Sequence, residues 1–281
     1  TGGLGVVCRA DDRQLGREVA VKFIQSALAK DTESRKRFRL EAEITSRLEH
    51  PGIVPVYGLG DTADGELFYT MRFLQGQTLE ELINRFYNPQ KSQGAGSGDT
   101  AVENESAADR ERHFRELLER FIAVCKTMAY AHNRGIVHRD IKPANVMLGR
   151  YGETMVIDWG LAMPVGRQGV FKESGEMTLL PNSENSSGDS WGCTPAYMSP
   201  EQAAGTLALT PSSDIYSLGV VLYKILTGTV PFVGTIHELR SKVIRGDFNR
   251  PSVVNRRLSK SIEGVCLKAM ALVPPPCPKE A

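Results

Sequence analysis

Nowhere does this sequence run to the roughly 18 consecutive apolar residues that a membrane-crossing helix requires. It also lacks an excess of charge: 34 lysines and arginines stand against 33 aspartates and glutamates, a formal net charge of +1. A whole-chain field that would draw the protein onto nucleic acid or an anionic bilayer is thereby excluded, and any phosphate binding has to be local. Cysteines are few and unpatterned. The five, at 8, 125, 193, 266 and 277, form no CxxC pair and have no histidine at ligand spacing. That argues against a disulfide framework or a zinc site and for free thiols in a reducing compartment. The opening residues, Thr1-Gly2-Gly3-Leu4-Gly5, contain neither a basic leader nor an initiator methionine. The chain is therefore expected to be cytoplasmic and a piece of something longer. No internal repeat is visible. What remains is ample for a folded core: 41% hydrophobic and 24% charged residues over 281 positions suit two modest domains or one two-lobed domain.

Along the chain, Arg17 to Ile24 (REVAVKFI) is β-branched and follows Gly16, which predicts a strand. Arg35 to Leu48 carries Phe38, Ala42, Ile44 and Leu48 at near-helical spacing and stops at His50-Pro51-Gly52, which predicts one helix inside a small sheet. Residues 88 to 109 collapse to Gly, Ser, Asn, Gln, Glu and Ala with little to bury, and read as a flexible insertion. Phe114 to Asn133 and Asp214 to Leu226 are too apolar for surface helices and suit the interior of a larger, mainly helical lobe. A loop-like stretch lies between Leu161 and Ser190.

The densest polar constellation is Val137-His138-Arg139-Asp140-Ile141-Lys142-Pro143-Ala144-Asn145, followed by Ile157-Asp158-Trp159-Gly160. A lone His-Arg-Asp would be a surface charge cluster and a lone Asp-Trp-Gly a turn. Phosphoryl transfer needs a carboxylate for the hydroxyl proton, a cation near the moving phosphoryl, and oxygen ligands that hold Mg²⁺ against nucleotide phosphates. Asp140, Lys142, Asn145 and Asp158 are those residue types, in that order.

On these segments the chain resembles the protein kinases, specifically bacterial serine/threonine kinases of the eukaryotic-like type, through nearly its whole length. The resemblance implies an α+β, two-lobed fold: residues 1–74 a small antiparallel-sheet lobe with one helix, residues 75–281 a larger helical lobe, truncated at both ends. In Val19-Ala20-Val21-Lys22 it implies a lysine that pairs with the α- and β-phosphates and with a helix glutamate. Glu41 falls in that register, with Glu43 as the nearby competitor. Gly2-Gly3-Leu4-Gly5-Val6-Val7 resembles the end of the phosphate-covering loop, in which Gly2 and Gly5 let the backbone approach the ligand. Leu67 to Gly76 resembles the fifth strand and hinge, with Met71 as gatekeeper, Arg72 to Leu74 offering backbone groups to adenine, and Val7, Ala20 and Met147 enclosing its ring.

The resemblance also implies an activation segment over residues 158–201, ending in Thr194-Pro195-Ala196-Tyr197-Met198-Ser199-Pro200-Glu201. There Thr194 hydrogen-bonds near Asp140 and Lys142. Lys142 implies serine or threonine acceptors, and Asp214 is the buried brace of the catalytic loop. Arg139 is implied to receive a phosphate from one of Ser174, Thr178, Ser183, Ser186, Ser187 and Ser190. The expected activity is transfer of the ATP γ-phosphoryl to protein hydroxyls, with Asn145 and Asp158 on Mg²⁺; the rival is an ATP-binding scaffold without turnover. Protein substrates are expected, and neither nucleic acid nor membrane contact by this segment. The sequence departs from the family at Trp159, where phenylalanine is usual, at Cys193, where glycine is usual, and at Cys277, where an arginine partner for Glu201 is usual.

Overall fold

The β-branched run Arg17–Ile24 does form a strand, β2, and it lies second in a four-stranded antiparallel sheet of order β1-β2-β4-β3. Its neighbours are β1 (Gly5–Asp12), β3 (Val56–Asp61) and β4 (Leu67–Arg72). The computed structural model describes residues 4–89, 106–165, 194–206 and 209–272. Helix α1 (Thr32–Arg47) starts ahead of Arg35 because Asp31 caps it, its carboxylate accepting from the Ser34 N–H at 2.8 Å. Phe38 and Ala42 of α1 pack with Ile24, Leu67 and Tyr69 of the sheet, forming the small lobe's core.

An extended link, residues 73–75, leads from β4 to β5 (Gly76–Thr78), which joins β7 (Val146–Gly149) and β8 (Thr154–Val156) in a second small sheet. Between them come α2 (Leu79–Tyr87), α3 (Ala107–Asn133) and β6 (Ile136–Val137), the last paired with β9 (Met163–Pro164). Helix α3 begins at Ala107, inside the segment read as an insertion, because Ser106 accepts from the Asp109 N–H and so starts the helix despite its polar composition. Residues 90–105 lie outside the described part.

The rest is helical: α4 (Pro200–Ala204), α5 (Pro211–Thr227), α6 (Ile236–Arg245), α7 (Pro251–Val254) and α8 (Lys260–Ala269). Helix α5 is buried on nearly every side, as a helix without a polar face must be. Its apolar residues join one core that extends through α3 and β7 to Ile44 and Leu48 at the end of α1. The end of α1 is therefore seated on the large lobe, while its middle faces the sheet.

Helix α5 stops at Gly228, whose φ of 79° lies in the left-handed region, and a Cβ there would come within 2.7 Å of the Tyr87 ring. That ring is fixed, since the Tyr87 hydroxyl donates to the Ile225 carbonyl at 2.8 Å. Gly228→Ala should therefore destabilise the domain by about 1–3 kcal/mol, combining backbone strain with the displaced ring. Denaturant unfolding at constant m-value measures this.

Candidate active site

Asp214, near the start of α5, is fully buried, and its carboxylate is surrounded by donors. The His138 N–H and the His132 Nε2 each lie 2.8 Å from Oδ2, and the Arg139 N–H lies 2.8 Å from Oδ1. Burial pushes the Asp214 carboxyl up, but the hydrogen bond and charge of His132, followed by His138, hold it below the usual carboxylate range. From the other side Gln202 of α4 donates to the Arg139 carbonyl at 2.8 Å. These contacts hold Arg139 at φ 72°, one of only two non-glycine residues with positive φ among those described; the other is Asp158, at 63°. Strain of this kind persists only where surrounding bonds over-determine it, and here both instances flank one cleft.

The braced loop delivers Asp140, which is 7% exposed. Its Oδ2 accepts from Lys142 Nζ at 2.6 Å and Asn145 Nδ2 at 3.0 Å, and its Oδ1 accepts from the Thr194 N–H at 3.2 Å. Lys142 Nζ also donates to the Thr194 hydroxyl at 2.7 Å. Four of the expected residues, Asp140, Lys142, Asn145 and Thr194, thus form one network.

Across the cleft, Lys22 Nζ lies 2.5 Å from Glu41 Oε1 and 3.4 Å from Asp158 Oδ1. Burial pulls the Lys22 ammonium pKa down, but the charges of Glu41 and then Asp158 outweigh it and leave the pKa raised. The competitor Glu43 points elsewhere and pairs with Arg47 at 3.2 Å on the helix surface. Trp159 fits where phenylalanine is usual. It is fully buried, its indole N–H donates to the Val156 carbonyl at 3.2 Å, and its ring centroid lies 4.6 Å from that of His138.

Strand register gathers the other small-lobe candidates. Val7 pairs with Lys22, Lys22 with Tyr69, and Ala20 with Met71, so Val7, Ala20, Lys22, Tyr69 and Met71 share one face of the sheet. Val7 stays half exposed on that face although Ala20 is buried, which leaves apolar surface open. Gly5 is required by space: a Cβ there would sit 2.9 Å from Lys22 Cε and 2.7 Å from the Phe23 carbonyl oxygen. Gly2 lies outside the described residues. Met147 is on the second sheet, half-buried between buried Val146 and Leu148. At the hinge, the Arg72 N–H donates to the Pro55 carbonyl at 3.0 Å, and the Arg72 side chain pairs with Glu153 at 3.0 Å. Leu74 lines a cleft of about 360 Å³ beside the hinge together with Phe73 and Tyr151.

A sequence profile described as the protein kinase domain matches residues 1–270. The chain belongs to the protein kinase family. Among its relatives, the serine/threonine-protein kinase PknD of Protochlamydia amoebophila is 37% identical over 89% of this chain and 24% of its own length. A probable serine/threonine-protein kinase of Streptomyces coelicolor is 34% identical over 97% of this chain and 36% of its own length. PknD of Chlamydia trachomatis is 32% identical over 97% of this chain and 28% of its own length. The kinase described here thus spans about a quarter to a third of the curated relatives it matches, and those relatives are of the serine/threonine class. The expected two-lobed α+β fold is the one observed. No helix among the described residues is long and apolar enough to cross a membrane.

Kinases of this family use ATP and a divalent metal. The donors present fit such an ion. Asn145 spends its amide nitrogen on Asp140, through the carbonyl at 2.9 Å and Oδ2 at 3.0 Å, so its hard amide oxygen is the group left for a cation. The Asp158 side chain is 32% exposed and supplies carboxylate oxygens. Three or more His, Cys, Asp or Glu side chains do not cluster as a metal cage among the described residues, and a Mg²⁺-type ion held by one or two protein oxygens plus phosphates needs none.

Sequence reasoning did not single out Tyr69, whose hydroxyl donates to Glu41 Oε1 at 2.9 Å, nor His132 or Gln202. For Tyr69 no local signal existed, because its place opposite Lys22 comes from the pairing of β2 with β4. The six candidate hydroxyls from Ser174 to Ser190, with Cys193 and Cys277, lie outside the described residues. Glu201, for which the family resemblance implies an arginine partner, accepts from the Ser213 hydroxyl.

Proposed function

We propose that this chain transfers the γ-phosphoryl of ATP to serine and threonine hydroxyls of proteins, itself included, in cytoplasmic signalling. The observation that carries this is the Asp140 carboxylate, oriented by Lys142, Asn145 and Thr194 while Lys22 stands between Glu41 and Asp158. Residues 1–281 are read as one catalytic domain, with its activation segment over 158–201.

In this mechanism Asp140 accepts the hydrogen bond of the acceptor hydroxyl and takes up its proton as that oxygen bonds to the γ-phosphorus and the bond from the γ-phosphorus to the β,γ-bridging oxygen breaks, releasing ADP. Lys142, already against Asp140 and Thr194, donates to the phosphoryl oxygens as their charge redistributes. Lys22, set by Glu41, orients the α- and β-phosphates. The face carrying Val7, Ala20 and Met71 encloses the adenine with Met147, and the hinge backbone at Arg72 and Leu74 reads its edge. Asn145 and Asp158 would hold Mg²⁺, which when bound would neutralise charge on the nucleotide phosphates. The Thr194 hydroxyl, next to Lys142, seats a short aliphatic alcohol. A scaffold without turnover has no use for an oriented Asp140, which favours the enzyme over that rival.

The full-length protein, given γ-labelled ATP, Mg²⁺ and a generic serine/threonine-rich protein, should label that protein on Ser and Thr. Binding of ATP without transfer to any protein, itself included, would overturn the proposal in favour of the scaffold.

A further inference from the structure

Glu41 is buried on α1, yet it has to meet a lysine on a different element, so something must fix its carboxylate. Lys22 alone does this poorly. Its ammonium is shared between Glu41 and Asp158, and in the reaction proposed above it also serves the phosphates. Glu41 Oε2 has no hydrogen-bond partner among the described residues, so the carboxylate is held through Oε1. The second donor to Oε1 is the Tyr69 hydroxyl, at 2.9 Å.

Tyr69 is well placed for this task. It is the direct cross-strand partner of Lys22, so both side chains rise side by side from β2 and β4 toward the same oxygen. Its ring is 3% exposed and lies 5.2 Å, centroid to centroid, from Phe38, which precedes Glu41 by one helical turn on α1. Ring and hydroxyl therefore grip the same face of α1 at two points. Burial, followed by the charge of Glu41, pushes the Tyr69 phenol well above its ordinary value, so the hydroxyl stays a donor over the working pH range.

We propose that Tyr69 is a positioning residue: its hydroxyl fixes the Glu41 carboxylate, and through it α1 and the Lys22 ammonium, in the arrangement that phosphoryl transfer uses. When Lys22 engages phosphate, Tyr69 remains as the neutral donor that keeps Glu41 from swinging away with α1. This rests on the kinase reading for its consequence in catalysis, but the grip on α1 stands on geometry alone.

Tyr69→Phe in the full-length protein tests it, because the ring that packs on Phe38 is kept and only the hydroxyl is lost. Loss of a hydrogen bond to a charged group should lower kcat by about ten- to a hundredfold, with KM for ATP within about threefold of wild type. The melting midpoint should stay close to wild type, and amide hydrogen exchange over residues 32–47 should quicken by about tenfold or more. In a Glu41→Ala background the acceptor is gone, so adding Tyr69→Phe should change neither residual transfer nor exchange. An unchanged kcat, an effect of equal size in the Glu41→Ala background, or a loss traced wholly to a lowered melting midpoint would each overturn the proposal. If the wild type transfers no phosphate, the kinase reading falls, and exchange decides alone: faster exchange that depends on Glu41 sustains the grip on α1, and unchanged exchange refutes it.

Discussion

Asp140→Asn should lower kcat for phosphoryl transfer by roughly 10²- to 10⁴-fold, the range associated with removing a general base, while ATP binding is retained. The substitution keeps the shape of the side chain but not its acceptor pattern. Every group around the Asp140 carboxylate is a donor: Lys142 Nζ and Asn145 Nδ2 at one oxygen, the Thr194 N–H at the other. Whichever way the new amide turns, its NH₂ meets a donor, so one of those partners is lost as well as the base. Nucleotide affinity, read by a fluorescent ATP analogue, should hold because Lys22, Val7, Ala20 and the hinge are untouched. Transfer at the wild-type rate would remove Asp140 from the mechanism.

The largest effect on stability is expected at Asp214. Asp214→Leu removes the acceptor for the buried N–H groups of His138 and Arg139 and for His132. Breaking a buried charged network by deleting one partner costs about 3–5 kcal/mol, against a total stability of about 5–15 kcal/mol for a domain. The catalytic loop should loosen with it, so activity falls even where the chain remains folded.

The pH dependence of this effect has a fixed sign. The Asp214 carboxyl is held below the ordinary aspartate value of about 3.9 in the folded protein, so on acidification the unfolded chain takes up the proton first. Its contribution is complete above about pH 4 and is lost as pH falls through the lower, folded value. Urea unfolding of wild type and Asp214→Leu should therefore show the largest gap near neutrality and a narrowing gap in acid. A gap of constant size from neutrality into strong acid would show that the carboxylate's charge contributes nothing.

Much of the catalytic cluster could be read from sequence because its residues are contiguous. Asp140, Lys142 and Asn145 sit on one short loop, and Asp158 follows directly after the β7–β8 hairpin, so short-range spacing carries the geometry. Glu41 and Glu43 could be separated by motif register, and the fold agrees because only Glu41 lies on the buried face of α1. What could not be read depends on strand pairing and on caps. Tyr69 gains its place from the β2–β4 register, which joins residues far apart in the chain. Strands β5, β7 and β8 are three or four residues long and carry too little pattern to stand out. Helix α2 was legible in principle: Thr78 and Glu81 form a capping box, and Leu79, Leu82 and Ile83 are spaced for one buried face. The polar first turn of α3 was hidden by its likeness in composition to the segment before it.

The two left-handed residues carry a consequence for how this domain responds to selection. Arg139 and Asp158 occupy backbone conformations that glycine adopts freely, at a cost on the order of 1–3 kcal/mol each. Glycine at either position would relieve the backbone, and at Asp158 it would also delete the carboxylate proposed to hold the metal. A library screened only for yield or heat resistance would drift toward such replacements and enrich well-behaved, inert proteins. At Asp158 thermal robustness and the proposed turnover are thus opposed, and any screen for hardier versions of this domain needs a phosphorylation readout alongside it.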